Sequence, residues 1–181
     1  DHVYLKTNSL TKRFKKKANF VIAELGFGTG LNFLLTWKLW KENRKTNGSL
    51  TYISFASAPL YKKDIQRVYK KFKKLDQYSS FLSKNIPERY KSTHRIYIKG
   101  DNLNLILIYD DITSLINFNL SVDTWFLDGF SPKKNPFAWT DKLFKQLYNF
   151  TNLEGSLSTF SVAGHIRRGL LKAGFKVSKV N

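Results

Sequence analysis

The stretch Asn19-Phe20-Val21-Ile22-Ala23-Glu24-Leu25-Gly26-Phe27-Gly28-Thr29-Gly30 decides how the rest of the chain is read. A short apolar run ending in closely spaced glycines reads as a buried strand that turns sharply at its carboxyl end. Leu31, Phe33, Leu34, Leu35, Trp37, Leu39 and Trp40 then recur at helical spacing, and the helix closes near the polar turn at residues 43–48. The unit is a strand, a glycine loop and a helix. Glycine lets the loop backbone turn tightly and come close to a ligand with no side chain in the way.

Glycine spacing separates the ligands that such a loop can serve. A dinucleotide fingerprint runs G-x-G-x-x-G and offers backbone N–H groups to a pyrophosphate at the helix start. Here the pattern is E-x-G-x-G-x-G, from Glu24 to Gly30. That spacing is the usual one for the adenosyl cofactor of methyltransferases, which carries no phosphate and whose cationic methionine portion suits an acid. An ordinary tight turn remains the plain alternative for this segment.

Outward from this unit, strand and helix signals alternate, which predicts an α/β fold with a sheet flanked by helices. Strands are expected at residues 19–25, 50–55, 94–98, 102–109, 122–127 and 156–160, with the start of a last one at 176–180. The third and fourth form a hairpin across Lys99-Gly100-Asp101. Helices are expected at 31–40, 60–75, 140–150 and 163–173, and the stretch from 76 to 92 is read as irregular because Pro87 forbids a helix through it.

With 181 residues, 42% of them hydrophobic and 15% aromatic, the chain can bury one good core, so a single domain over residues 1–181 is expected. Residues 1–18 read as an N-terminal extension packed on or near it. No run of about 18 apolar residues and no signal-peptide order is present, which points to a cytoplasmic protein without a membrane partner. The absence of cysteine excludes disulfides and thiolate chemistry, and His2, His94 and His165 show no ligand spacing, so no metal site is expected. The absence of methionine, an initiator included, points to a portion of something longer.

Charge is the strongest compositional signal: 31 Lys and Arg against 13 Asp and Glu give +18. Such a field concentrates polyanions, nucleic acid above all. A lysine excess is also what AT-rich coding produces. The basic runs at 12–17 and 70–74 read as solvated faces within reach of phosphates.

Open α/β sheets hold their ligands at the carboxyl ends of the strands. Two further segments fall there. Trp125-Phe126-Leu127-Asp128 is a strand ending in a carboxylate, followed by Gly129-Phe130-Ser131-Pro132-Lys133-Lys134-Asn135-Pro136. Asp128 suits an amine nucleophile, or equally a turn cap. Ala163-Gly164-His165-Ile166-Arg167-Arg168-Gly169-Leu170 opens a helix with two adjacent arginines, which point about 100° apart, so one of them is expected to pack or pair internally.

Together these segments resemble one family, the methyltransferase domain of MnmC, the bifunctional bacterial enzyme that completes 5-methylaminomethyl-2-thiouridine at the wobble position of certain tRNAs. The residues that carry the resemblance are Ala23 to Leu34, Asp123 to Pro136, Trp139-Thr140, Ala163-Gly164 and Arg167 to Leu170, and weaker similarity runs from Asp1 to about Phe175. The resemblance implies a Rossmann-like class I fold, with a mostly parallel sheet and helices on both faces. It also implies transfer of a methyl group from S-adenosylmethionine to the amine of 5-aminomethyl-2-thiouridine.

Carried over position by position, the resemblance makes Gly26, Gly28 and Gly30 the cofactor loop, with Glu24 organising it and Asn32 beside it. Asp111 stands where the family has an acid for the adenine amino group. Asp128 is the residue that orients the substrate amine and takes its proton, and Phe130 stacks on the flipped base. Lys133, Lys134, Asn135 and Arg167 are further substrate contacts. One departure stands out: the family has Glu in Ser-Phe-Glu, where this chain has Ser54-Phe55-Ala56. Losing the acid that holds the ribose hydroxyls costs about 1.5–3 kcal/mol. The family also continues into a Gly-Phe-Gly segment, so the terminal strand pair is expected to be incomplete here. The family's FAD-dependent oxidoreductase domain, a separate or fused partner, is absent from this sequence. Ala56 and the early end favour an alternative, a basic RNA-binding protein that keeps the fold without turnover. A nicotinamide-dependent oxidoreductase is disfavoured by the glycine spacing.

Overall fold

A computed structural model describes residues 3–70, 72–128, 139–161 and 163–180. Two helices, α1 (Val3–Thr7) and α2 (Leu10–Lys16), lead into β1 (Asn19–Leu25). Then come α3 (Leu31–Asn43), β2 (Ser49–Phe55), α4 (Lys62–Tyr69), a 3-10 turn (Lys73–Leu75) and α5 (Asp76–Asn85). The hairpin strands β3 (Thr93–Ile98) and β4 (Leu103–Ile108) precede β5 (Val122–Leu127), α6 (Asp141–Asn149), β6 (Thr151–Thr159) and α7 (Gly164–Ala173).

The six strands form one sheet in the order β3-β4-β2-β1-β5-β6. All neighbours are parallel except β3 and β4, which form the expected antiparallel hairpin. Side chains alternate along each strand, so each face carries its own core. Phe20 and Ile22 of β1, Leu50 and Tyr52 of β2, and Leu103, Leu105 and Leu107 of β4 pack on one face against Phe33, Trp37 and Trp40 of α3 and Leu82 of α5. Ala23, Leu25, Ile53, Phe55 and Trp125 pack on the other against Leu143, Phe144 and Leu147 of α6 and Ile166 and Leu170 of α7. The expected α/β sheet with helices on both faces is the observed one.

The N-terminal helices belong to the first core. Tyr4, Leu10 and Phe14 are fully buried in it. Polar tethers fix them: Arg13 donates to Thr124 Oγ1 and Ser156 Oγ, each at 2.7 Å, and to the Asp123 carbonyl oxygen at 2.9 Å. Asn8, also buried, donates to Ser158 Oγ at 2.7 Å.

Three expectations require correction. Residues 76–85 form α5 rather than irregular chain, because Pro87 lies two positions beyond the helix and Tyr78 and Leu82 bury one side of it. The expected helix over 60–75 divides into α4 and the 3-10 turn. Residues 176–180 form no strand, since a strand exists by the ladder it joins and no described residue pairs with them. Among the described residues no helix is long and apolar enough to cross a membrane.

Candidate functional site

Strand alternation assembles the site before any loop is considered. In the parallel ladders Glu24 pairs in register with Ser54 on one side and Phe126 on the other, and Phe55 pairs with Ile108. One register step further, Ala56 and Tyr109 lie on neighbouring strand ends, and both belong to the first core. The first-core face therefore ends, along its carboxyl edge, in Asp128, Glu24, Ala56 and Tyr109.

Glu24 is fully buried, and its two oxygens are separately held. Oε1 accepts from Asn32 Nδ2 at 2.7 Å and Oε2 accepts from Ser54 Oγ at 2.9 Å. Burial pushes its carboxyl up to about 8 against the pull of these two donors, and nearby Asp128 adds to the rise. Asn32 sits on the first turn of α3 and donates from the same nitrogen to Asp128 Oδ2 at 2.7 Å. Asp128 follows the last residue of β5 and is half-buried. Burial, and then the neighbouring Glu24 carboxylate, push the Tyr52 phenol well above its ordinary range.

The glycine loop closes over this row. Gly26, Gly28 and Gly30 all have positive φ, at 108°, 52° and 80°. Any other residue is strained in that conformation. At Gly30 a Cβ would also lie 2.8 Å from Leu82 and 2.9 Å from Phe27, whereas at Gly28 it would meet nothing within 4 Å. Among the described residues, Gly28 is thus the point of the loop where bare backbone has nothing against it. The loop is fastened by the Gly26 N–H on the Phe55 carbonyl at 3.0 Å and the Gly30 N–H on the Phe27 carbonyl at 2.8 Å.

Of the residues singled out from the sequence, Glu24, Asn32 and Asp128 are joined directly by hydrogen bonds, with the three glycines beside them. Asp111 is exposed beyond the end of β4, where Oδ1 accepts from the Thr113 N–H at 2.9 Å and so caps the following 3-10 turn, residues 112–117. Arg167 is exposed on the first turn of α7. Arg168 is exposed too, so neither arginine of the pair is packed in the core: Ile166, Gly169 and Leu170 form the buried side of that helix. Phe130, Lys133, Lys134 and Asn135 lie outside the described residues.

Two residues enter the site without having been anticipated. Tyr4 of α1 donates from its hydroxyl to the Leu127 carbonyl oxygen at 3.2 Å. Burial, and then the carboxylates of Asp128 and Glu24, hold that phenol far above its ordinary range. Ser54 is the second, and a small hydroxyl at a buried strand position was its only trace in the sequence.

Comparison with known proteins decides what the arrangement is. A family described as S-adenosyl-L-methionine-dependent methyltransferase matches residues 73–181, more than half of the chain. The chain belongs to that family. Among its curated relatives is the tRNA 5-methylaminomethyl-2-thiouridine biosynthesis bifunctional protein MnmC of Hahella chejuensis (strain KCTC 2396), 38% identical over 183 aligned positions. The alignment covers 99% of this chain and 29% of that protein. The protein of the same name from Marinomonas sp. (strain MWYL1) is 38% identical, with 99% of this chain and 27% of that one covered. The chain therefore spans less than a third of the length of these relatives. Among solved structures it is similar to the crystal structure of MNMC2 from Aquifex aeolicus, with a TM-score of 0.75 and 25% identity over 96% of this chain and 53% of that one.

S-adenosyl-L-methionine is the cofactor of this methyltransferase family, and most of the residues present fit it. Open space above Gly28 admits a ligand against bare backbone. The acid Glu24 suits a cationic methionine portion. Ala56 fits less well, because its side chain offers no hydrogen-bonding group at a strand end where nucleotide-binding α/β sheets commonly hold ribose hydroxyls with an acid.

Proposed function

We propose that this methyltransferase acts on RNA, transferring a methyl group to the exocyclic amine of 5-aminomethyl-2-thiouridine at the wobble position of tRNA. The observation that carries the proposal is the bridge from Glu24 through Asn32 to Asp128, which holds a carboxylate at the strand end beside the glycine loop. The names of the relatives, and a net charge of +18, support RNA as the partner.

When bound, S-adenosyl-L-methionine supplies an electrophilic methyl group. The chain's own residues hold the cofactor and position the substrate. Gly26, Gly28 and Gly30 give the cofactor a close backbone wall, Glu24 and Asn32 set the charge beside it, and Asp111 takes the adenine amino group. Asp128 accepts a hydrogen bond from the substrate amine, which turns its lone pair toward the methyl group. Reacting atoms in such a transfer need to be about 3 Å apart and in line. Methylation of the amine would break the cofactor's bond from sulfur to the methyl carbon and release S-adenosylhomocysteine, and Asp128 would receive the proton that the nitrogen gives up, acting as a positioned general base. Asn32 keeps Asp128 in one orientation. Phe130 is the platform on which the unstacked base lies, with Lys133, Asn135 and Arg167 as neighbouring substrate contacts. The unit is residues 1–181, with residues 1–18 as its N-terminal extension, and a FAD-dependent oxidoreductase domain, separate or fused, is its functional partner.

Ala56 favours a second reading, a protein that binds RNA without turnover. Incubating the chain with methyl-labelled cofactor and tRNA carrying 5-aminomethyl-2-thiouridine separates the two. Label recovered in the wobble nucleoside is the expected result. Binding of tRNA with no label transferred would overturn the enzyme reading in favour of the second.

A further inference from the structure

We propose that the outer surface of α4, continued by the 3-10 turn after it, is where this protein grips the phosphates of its RNA, an inference that rests on the reading of the substrate as a tRNA. Helix α4 has two unlike sides. Ile65 and Tyr69 are buried, whereas Lys62, Lys63, Arg67, Lys70, Lys73 and Lys74 of the helix and turn are all exposed. Among the described residues of this segment the one acid is Asp64, which pairs with Arg67 at 3.5 Å. The remaining cations leave a field with no internal counterpart.

Position gives the charge its meaning. The Tyr69 hydroxyl contacts Thr29 of the glycine loop, at 3.2 Å from its carbonyl oxygen and 3.3 Å from Oγ1. The buried side of the helix is thereby anchored on the glycine loop at the carboxyl edge of the sheet, and its cations form the outer surface of the element seated there. Aromatic rings are set among them: Tyr61 is 56% exposed and Phe72 46%. The Arg89 guanidinium lies 4.1 Å from the Tyr61 ring centre, and the Lys63 ammonium 5.5 Å. Cations interleaved with exposed rings form the surface that single-stranded nucleic acid uses, phosphates on the cations and bases on the rings.

In the other basic run Lys12, Lys15 and Lys16 are exposed too, but the remaining two cations are tied into the fold. Arg13 is committed to Thr124, Ser156 and the Asp123 carbonyl, and Lys17 to the Asp123 carboxylate. Helix α2 leads into the amino end of β1, so this run lies at the edge of the sheet opposite to the site.

The test compares Lys63→Gln/Lys70→Gln/Lys73→Gln with Lys12→Gln/Lys15→Gln/Lys16→Gln in the 181-residue chain. Binding of a labelled tRNA transcript is followed by fluorescence anisotropy across a salt series, with circular dichroism and S-adenosylhomocysteine titration as checks on fold and cofactor site. The α4 triple variant is expected to lose at least about tenfold in affinity and to flatten the slope of log K against log salt by about two, as fits the loss of two to three phosphate contacts. The α2 variant is expected to keep both. Equal losses in the two variants, or undiminished binding by the α4 variant, would overturn this assignment and leave the tRNA reading standing. No binding of tRNA by the parent chain would overturn both.

Discussion

Glu24 and Asp128 share one donor: the side-chain nitrogen of Asn32 lies 2.7 Å from an oxygen of each. The two acids come from different strands and differ in surroundings, Glu24 fully buried and Asp128 half-buried at the rim. A carboxyl out of water holds its proton, and a second carboxylate nearby strengthens the hold. Glu24 is accordingly the carboxyl that keeps its proton in the free protein, while Asp128 stands at the rim within reach of a substrate.

Asp128→Asn keeps the shape of the side chain and removes the base. Methyl transfer measured in single turnover is expected to fall by about a hundredfold or more, the usual range for a positioned proton acceptor. Cofactor binding should change little. Transfer near the parent rate would remove Asp128 from its proposed role.

The Glu24 carboxyl, pushed by burial up to about 8 from an ordinary 4.5, is mostly protonated at neutral pH in the free protein. A cationic cofactor favours the ionised form, so binding is expected to release a proton and tighten as pH rises toward 8, levelling beyond it. Calorimetry in buffers of different ionisation enthalpy measures the release, and Glu24→Gln should abolish it. The sign for stability is the reverse. A raised carboxyl favours the fold below its unfolded value, so the free protein should lose stability relative to Glu24→Gln as pH climbs from about 4.5 to about 8.

Ala56→Glu restores an acceptor at the end of β2. Charge-assisted hydrogen bonds to the adenosyl hydroxyls are worth about 1.5–3 kcal/mol, so affinity for S-adenosyl-L-methionine is expected to rise about ten- to a hundredfold. Position 56 is 6% exposed, and an added carboxyl there should also lower the melting temperature of the free chain. Unchanged affinity would show that this chain holds its cofactor without an acid at that strand end.

Tyr109 is buried, yet its hydroxyl has no hydrogen-bond partner among the described residues. Tyr109→Phe removes a polar group held out of water at no loss of ring packing. It is expected to stabilise the protein by about 1 kcal/mol, or about 2–4 °C in a thermal melt. A lower melting temperature would mean that the hydroxyl has a favourable role.

Gly169 faces the ring of Phe144 across the contact of α7 with α6, and a Cβ there would collide with that ring. Gly169→Ala gains helix propensity but forces the buried ring aside. Overpacking costs about 1–3 kcal/mol and outweighs the gain, so a net loss of stability is expected by chemical denaturation.

The sequence by itself determined the strand, glycine loop and helix from Asn19 to Asn43, the β3–β4 hairpin, the strand ending at Asp128 and the acids placed at the strand ends. Each is a local pattern: apolar runs bounded by glycine, or alternation over a few residues, fixes backbone geometry from neighbours along the chain. Helix α5 was not legible, because its buried face is made by packing on α3 and α4, and Pro87 drew the reading toward irregular chain. The tertiary structure alone decided that Asn32 spans Glu24 and Asp128, that Ser54 holds the second Glu24 oxygen, and that Tyr4 reaches the end of β5. These contacts join residues far apart in sequence, and they depend on the register between parallel strands. A shift of one residue would turn each side chain to the other face of the sheet, and no local pattern records that register.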